Sequence, residues 1–197
     1  MAEPAARRMT VDEFFAWQAE QEHNYELVDG VPVMTVKAMT GATAMHDRIT
    51  VNAIGTLFQQ LRGKPCRPKT ADTSVRTIRG TRRPDITIEC GKPGPRDMAA
   101  DEPRVVIEVL SPMPVVSEDF VRHTEYCNTS AIKAIVYLDT EAPRGLMWRR
   151  MGPGWLPVGS FEGLDAAIDL PEIEATLPMS ELYLGVEFRG EASAPRL

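Results

Sequence analysis

A mixed α/β (α+β) fold, one sheet with helices laid against it, follows from three observations on the sequence. Helical and strand-like hydrophobic periods alternate along the chain in the order helix, hairpin, helix, several strands, helix, strands. At 197 residues the chain is long enough to bury a proper core without a metal or disulfide scaffold. No internal repeat is present, which argues against a solenoid. Residues 8–188 are expected to form a single domain, with 1–7 and 189–197 as flexible tails.

The elements follow in order. Thr10-Val11-Asp12-Glu13 is a capping box, so a helix starts near Val11 with Phe14, Phe15 and Trp17 on its apolar side. Tyr25 to Met34 reads as a hairpin turning on Asp29-Gly30, a pair suited to a type I′ turn; Pro32 places its strand at an edge or at the start of a pairing. From about Ala44 to Leu61, Ile49, Ala53, Ile54, Leu57, Phe58 and Leu61 follow the helical period, and Gly63 stops it. Strand-like segments come near 66–71, 73–78, 85–90 and 104–110. Pro112 and Pro114 interrupt, and Ser117, followed by Glu118 and Asp119, is expected to N-cap a short helix running to about Asn128. A buried strand is expected at 135–139, then a second hairpin, 146–150 with 155–161, around Gly152-Pro153-Gly154, with Trp148 facing Trp155. A short strand near 168–170 and a helical turn at 179–182 end the domain. Phe14, Phe15, Trp17 and Phe58 are assigned to the core.

A net charge of −6 argues against indiscriminate coating of nucleic acid. The charge is unevenly spread. Between Arg62 and Arg83 stand eight basic residues against one acid, Asp72. This strip is either a solvated face or a set of phosphate contacts, in which case Arg82 and Arg83, beside Asp85, are the candidates to touch substrate. The three cysteines, Cys66, Cys90 and Cys127, are odd in number and form no CxxC pair, which argues against a disulfide framework or structural zinc and for a reducing compartment. Nothing at the start of the chain resembles a signal peptide and no apolar run is long enough to span a bilayer, so a soluble cytoplasmic protein with no membrane partner is expected.

Two acids stand out in the strand-like sequence. Asp85 opens the run Asp85-Ile86-Thr87-Ile88 and Glu108 closes the run Val105-Val106-Ile107-Glu108. If the runs pair antiparallel across the Gly/Pro-rich loop 91–103, the start of the first meets the end of the second, with facing Cβ atoms roughly 5 Å apart. Two carboxylates that close repel unless a cation separates them, which points to a divalent metal. The alternatives are that Asp85 is a strand-entry acid holding backbone amides, and that Glu108 is paired with an arginine such as Arg104 or Arg83.

These residues carry a resemblance. Tyr25-Glu26-Leu27-Val28-Asp29-Gly30, His46 at the next helix start, Arg83-Pro84-Asp85, Glu108-Val109-Leu110-Ser111-Pro112, Tyr126 and Val136-Tyr137-Leu138-Asp139 resemble, in order and spacing, the Uma-two family of endonucleases among the PD-(D/E)XK nucleases. The resemblance implies a restriction-endonuclease-like mixed β-sheet flanked by helices. It also implies an endodeoxyribonuclease dependent on Mg²⁺ or Mn²⁺, with no organic cofactor. Asp85 and Glu108 are then the metal ligands, Glu26 a further catalytic acid, and His46 and Tyr126 residues that line the substrate. The lysine expected two residues after the second acid is replaced by Leu110. In the family pattern it moves to the following helix, where this chain has Arg122, which keeps the charge but cannot easily lose a proton. The alternative is therefore a nuclease fold with impaired turnover that serves as a nucleic-acid-binding or protein-interaction module. A homodimer is expected by analogy with the fold class.

Overall fold

The structure is a computed structural model that describes residues 8–35, 41–110 and 116–188. The interruption expected at Pro112 and Pro114, the two tails, and the cap and first-turn side chains of Ser117, Glu118 and Asp119 lie outside the described residues.

Helix α1 (Val11–Gln18) begins with the capping box: Glu13 N–H donates to Thr10 Oγ1 at 3.2 Å and Thr10 N–H donates to Glu13 Oε2 at 2.8 Å. Strands β1 (Tyr25–Val28) and β2 (Val31–Met34) are joined by Asp29 at φ 50° and Gly30 at φ 82°, the two left-handed residues a type I′ turn requires. Among the described residues strand β2, with Pro32, is the edge of a four-stranded sheet ordered β2-β1-β5-β4. Two members of that sheet are short: β4 (Val75–Thr77) and β5 (Gly80–Arg82). Strand β5 is not foreshadowed by any local pattern and depends on Gly80: a Cβ there would sit 2.1 Å from the Leu27 carbonyl oxygen.

The larger sheet has six strands in the order β10-β9-β8-β7-β6-β3. Its members are β3 (Arg67–Thr70), β6 (Ile86–Glu89), β7 (Pro103–Leu110), β8 (Ala134–Asp139), β9 (Arg144–Met151) and β10 (Gly154–Glu162). All pairings are antiparallel except β7 with β8, which run parallel. A parallel neighbour needs a crossover, and helix α3 (Val116–Asn128) supplies it. Ser117 therefore lies inside this helix and is not its cap.

Alternation along β7 divides the interior. Val105, Ile107 and Val109 enter the main core with Ile49, Ala53, Leu57 and Leu61 of helix α2 (Ala44–Leu61), together with the hairpin β11 (Ala167–Leu170) and β12 (Ala175–Pro178) and helix α4 (Met179–Leu182). Val106 enters a smaller core with Val75, Tyr126, Ile132 and Ile135. Glu108, two residues on, shares the face of Val106 and meets α3. Each fully buried aliphatic side chain contributes about 1.5–3 kcal/mol, so the α2 face carries most of the stabilisation and the α3 face can carry polar groups.

Five sequence expectations are corrected. In place of the one expected sheet the described residues form three, of four, six and two strands, because the β1–β2 hairpin pairs with β5 and β4 and not with the larger sheet. Phe58 is 55 % exposed, because the α2 stripe that faces the sheet runs through Leu57, and Phe58 is turned about 100° away. Trp148 and Trp155 do not face each other. The two-residue turn fixes Trp148 opposite Pro157 and Trp155 opposite Arg150, whose guanidinium lies 4.7 Å from the indole centroid. Strands β5 and β12 are added. Finally, Cys66 and Cys90 form a disulfide. They continue the β3–β6 register one position beyond Arg67 opposite Glu89, a juxtaposition set by strand pairing that spacing in sequence does not reveal. Cys127 is the free thiol.

Candidate active site

Register builds the site. Strands β6 and β7 pair with Ile86 opposite Ile107, so Asp85, just before β6, falls opposite Glu108 near the end of β7. The Val109 N–H donates to Asp85 Oδ2 at 2.8 Å and fixes the approach. Both acids are buried, at 3 % and 6 % exposure. On the far side of Asp85, His46 in the first turn of α2 brings Nε2 to 3.1 Å from Oδ2. The turn is held by Thr43, whose Oγ1 accepts the His46 N–H at 3.2 Å.

Helix α3 closes the other side. Tyr126 O–H donates to Glu108 Oε1 at 2.7 Å, and Arg122 Nη1 lies 3.6 Å from the same oxygen. Burial, then the Glu108 charge, push the Tyr126 phenol well above its ordinary pKa, so it stays a donor. Arg122 is anchored by Glu26 of β1, donating from Nη1 to Oε1 at 3.0 Å and from Nη2 to Oε2 at 3.4 Å. Burial alone would lower the Arg122 pKa, but the surrounding negative charges, Glu108 foremost, raise it above the usual guanidinium value.

Glu26 also accepts from Arg82 Nη1 at 2.9 Å and from the Arg83 N–H at 2.8 Å. Arg82 in turn is gripped by Glu125 of α3 through Nε at 2.9 Å and Nη2 at 2.7 Å, and Thr77 O–H donates to Glu125 at 2.7 Å. Burial opposes ionisation of Glu125, but the Arg82 and Thr77 hydrogen bonds outweigh it and hold the carboxyl below the usual range. Glu125 and Thr77 were missed in the sequence; the available signal was the i, i+3 spacing of Arg122 and Glu125 on one helix.

Arg82 and Arg83 are thus interior residues. Arg83 donates to the carbonyls of Tyr25, Ala71 and Asp72 at 2.7–3.1 Å, and burial lowers its pKa. Of the rest of the basic strip, Arg76 pairs with Asp12, Arg79 with Asp29 and Lys64 with Glu174, while Arg67 donates to the Gly91 carbonyl. Glu108 is partnered by neither Arg104 nor Arg83; the cation beside it is Arg122, 14 residues on along the chain. Leu110 occupies the end of β7 with no charge to offer.

Among the described residues no three His, Cys, Asp or Glu side chains cluster with metal-holding geometry. What the site offers is two carboxylates, Asp85 and Glu108, since Glu26 is turned to guanidinium and amide donors. Four buried carboxylates (Glu26, Asp85, Glu108, Glu125) are met by two guanidiniums (Arg82, Arg122) and by His46, so negative charge is in excess in either state of the imidazole, which suits a cation. Hard oxygen donors in that number fit Mg²⁺ or Mn²⁺, which take one or two protein carboxylates and complete their shell with waters and substrate phosphate.

A model of the Uma2 family, described as putative restriction endonuclease, matches residues 11–180. Among solved structures, the crystal structure at 1.96 Å of a putative nuclease belonging to DUF820 from Anabaena variabilis ATCC 29413 has a TM-score of 0.68 at 17 % sequence identity, covering 89 % of this chain and 97 % of that chain. At that identity the likeness is one of fold. No curated protein matches the chain. No helix among the described residues is long and apolar enough to cross a membrane.

Proposed function

The chain belongs to the Uma2 family of putative restriction endonucleases, and on that premise we propose that it is a metal-dependent endonuclease that hydrolyses DNA phosphodiester bonds at the Asp85–Glu108 site. The observation that carries this reading is the placement of two buried carboxylates at the facing ends of β6 and β7 with a fixed cation, Arg122, 3.6 Å from one of them.

Asp85 and Glu108 are the residues that would hold Mg²⁺ or Mn²⁺. Such an ion, when bound, polarises a phosphate oxygen and lowers the pKa of an attacking water. The remaining work falls to the chain itself. His46 and the Val109 amide hold the Asp85 carboxylate in one orientation, and Tyr126 does the same for Glu108. Arg122 presents a planar donor to the charge that builds on the scissile phosphate, a contribution worth about 10²–10³-fold in rate. It remains protonated, so it is an electrostatic group and not a base. Arg82 and Arg83 support the site from within.

The test is cleavage of plasmid and single-stranded DNA with Mg²⁺, Mn²⁺ or EDTA. Metal-dependent nicking supports the reading, and its absence at high protein concentration removes it. One observation favours a second reading, a catalytically impaired nuclease fold that binds nucleic acid: the two positions where the family lysine is expected hold Leu110 and Arg122. Salt-sensitive DNA binding without cleavage selects it.

A further inference from the structure

We infer that Glu26 is a positioning residue that acts through Arg122, and that it takes no part in holding a metal. The inference deepens the nuclease reading and rests on it. Three observations carry it.

The first is saturation. Glu26 is 3 % exposed, and both its oxygens are engaged: Oε1 accepts from the Arg83 amide and Arg122 Nη1, and Oε2 from Arg82 Nη1 and Arg122 Nη2. A carboxylate has about four lone-pair sites, and four donors fill them. A cation could reach Glu26 only by displacing a guanidinium or a buried amide. Glu108 differs, because its contacts with Tyr126 and Arg122 are both made through Oε1.

The second is the asymmetry of Arg122 between its two acids. It forks onto Glu26 at 3.0 and 3.4 Å, whereas its 3.6 Å approach to Glu108 exceeds hydrogen-bond length. Glu26 is therefore the anchor, and Glu108 the neighbour against which the charge is set. A lysine, with a single nitrogen, could not span both oxygens of Glu26 in this way, so the acid and the arginine are matched.

The third is that the anchor is itself fixed. Thr77, Glu125, Arg82 and Glu26 form a continuous chain of hydrogen bonds from β4 through α3 and β5 to β1, and it ends on Arg122 back on α3. The small sheet thus acts as a jig for the helix that carries the cation.

The test combines Mn²⁺ calorimetry with cleavage kinetics on the folded full-length chain, for wild type, Glu26→Gln, Glu108→Gln, Arg122→Gln and the Glu26→Gln/Arg122→Gln pair. Glu26→Gln should keep Mn²⁺ affinity within about threefold of wild type, while Glu108→Gln loses more than tenfold. Glu26→Gln should lower kcat about 10–100-fold with little change in KM, and this loss should vanish in the Arg122→Gln background. Glu26→Asp retains the charge opposite Arg82 but shortens the reach; it serves where the glutamine variant does not fold, and the same pattern is expected. Mn²⁺ affinity lost in the Glu26 variants as in Glu108→Gln, or losses that multiply in the double variant, would overturn the inference. Wild-type protein that neither binds Mn²⁺ nor cuts would overturn the nuclease reading, and the inference with it.

Discussion

Buried carboxylates stand at both ends of the β6–β7 ladder, and the two ends satisfy them by opposite means. At the loop end Glu89, fully buried, accepts three backbone N–H groups, from Gly91 at 2.6 Å, Asp101 at 2.7 Å and Glu102 at 2.9 Å. That cage neutralises the charge with fixed dipoles and ties down the loop after β6; it needs no cation. At the α3 end Asp85 and Glu108 are held by the side chains of His46, Arg122 and Tyr126, with one backbone amide, that of Val109, on Asp85. Burial alone therefore does not mark a functional acid. What marks the pair is satisfaction mainly by ionisable side chains, joined by the backbone amide of Val109 on Asp85.

The largest effect expected from this contrast is on chemistry. Asp85→Ala and Glu108→Ala should each reduce DNA cleavage by at least about 10²–10³-fold while circular dichroism stays native. Glu89→Gln should do the reverse: leave cleavage per folded molecule unchanged and lower stability by about 3–4 kcal/mol in urea melts, because an amide cannot accept all three N–H donors. Equal loss of cleavage in Glu89→Gln would break the contrast. Cys66→Ser, which removes the cross-link next to Glu89, should cost about 2–3 kcal/mol through the loop it closes, again with cleavage retained. The smallest effect sharpens the α3 end. The folded-state pKa of Glu125 is lowered, so its contribution is fully present above the ordinary carboxylate range and is lost as pH falls through the lowered value. Urea midpoints should show a shallow extra decline below about pH 4 that Glu125→Gln abolishes.

The elements legible in the sequence were those decided by neighbours. The Thr10 capping box, the Asp29-Gly30 turn and the α2 stripe through Ile49, Ala53, Leu57 and Leu61 all read directly, and the alternation of Asp85 and Glu108 with apolar residues gave the register that brings them together. What did not read was decided by distant partners. Arg82 looked like one residue of a basic surface strip. It is interior because Glu26 and Glu125, 56 and 43 residues away, meet it there. The Cys66–Cys90 bridge follows from pairing of β3 with β6, and β5 from a close approach to Leu27 that only Gly80 permits. Glu89 alternated with the site acids in sequence, and nothing local distinguished a carboxylate destined for backbone amides from one destined for a cation.

The measurement that bears most directly on the account is Mn²⁺ titration followed by calorimetry, with wild type, Glu108→Gln and Glu89→Gln in parallel. Wild type and Glu89→Gln should bind alike, and Glu108→Gln should lose more than tenfold in affinity. Binding that survives in Glu108→Gln, or that disappears in Glu89→Gln with the fold intact, would contradict the account.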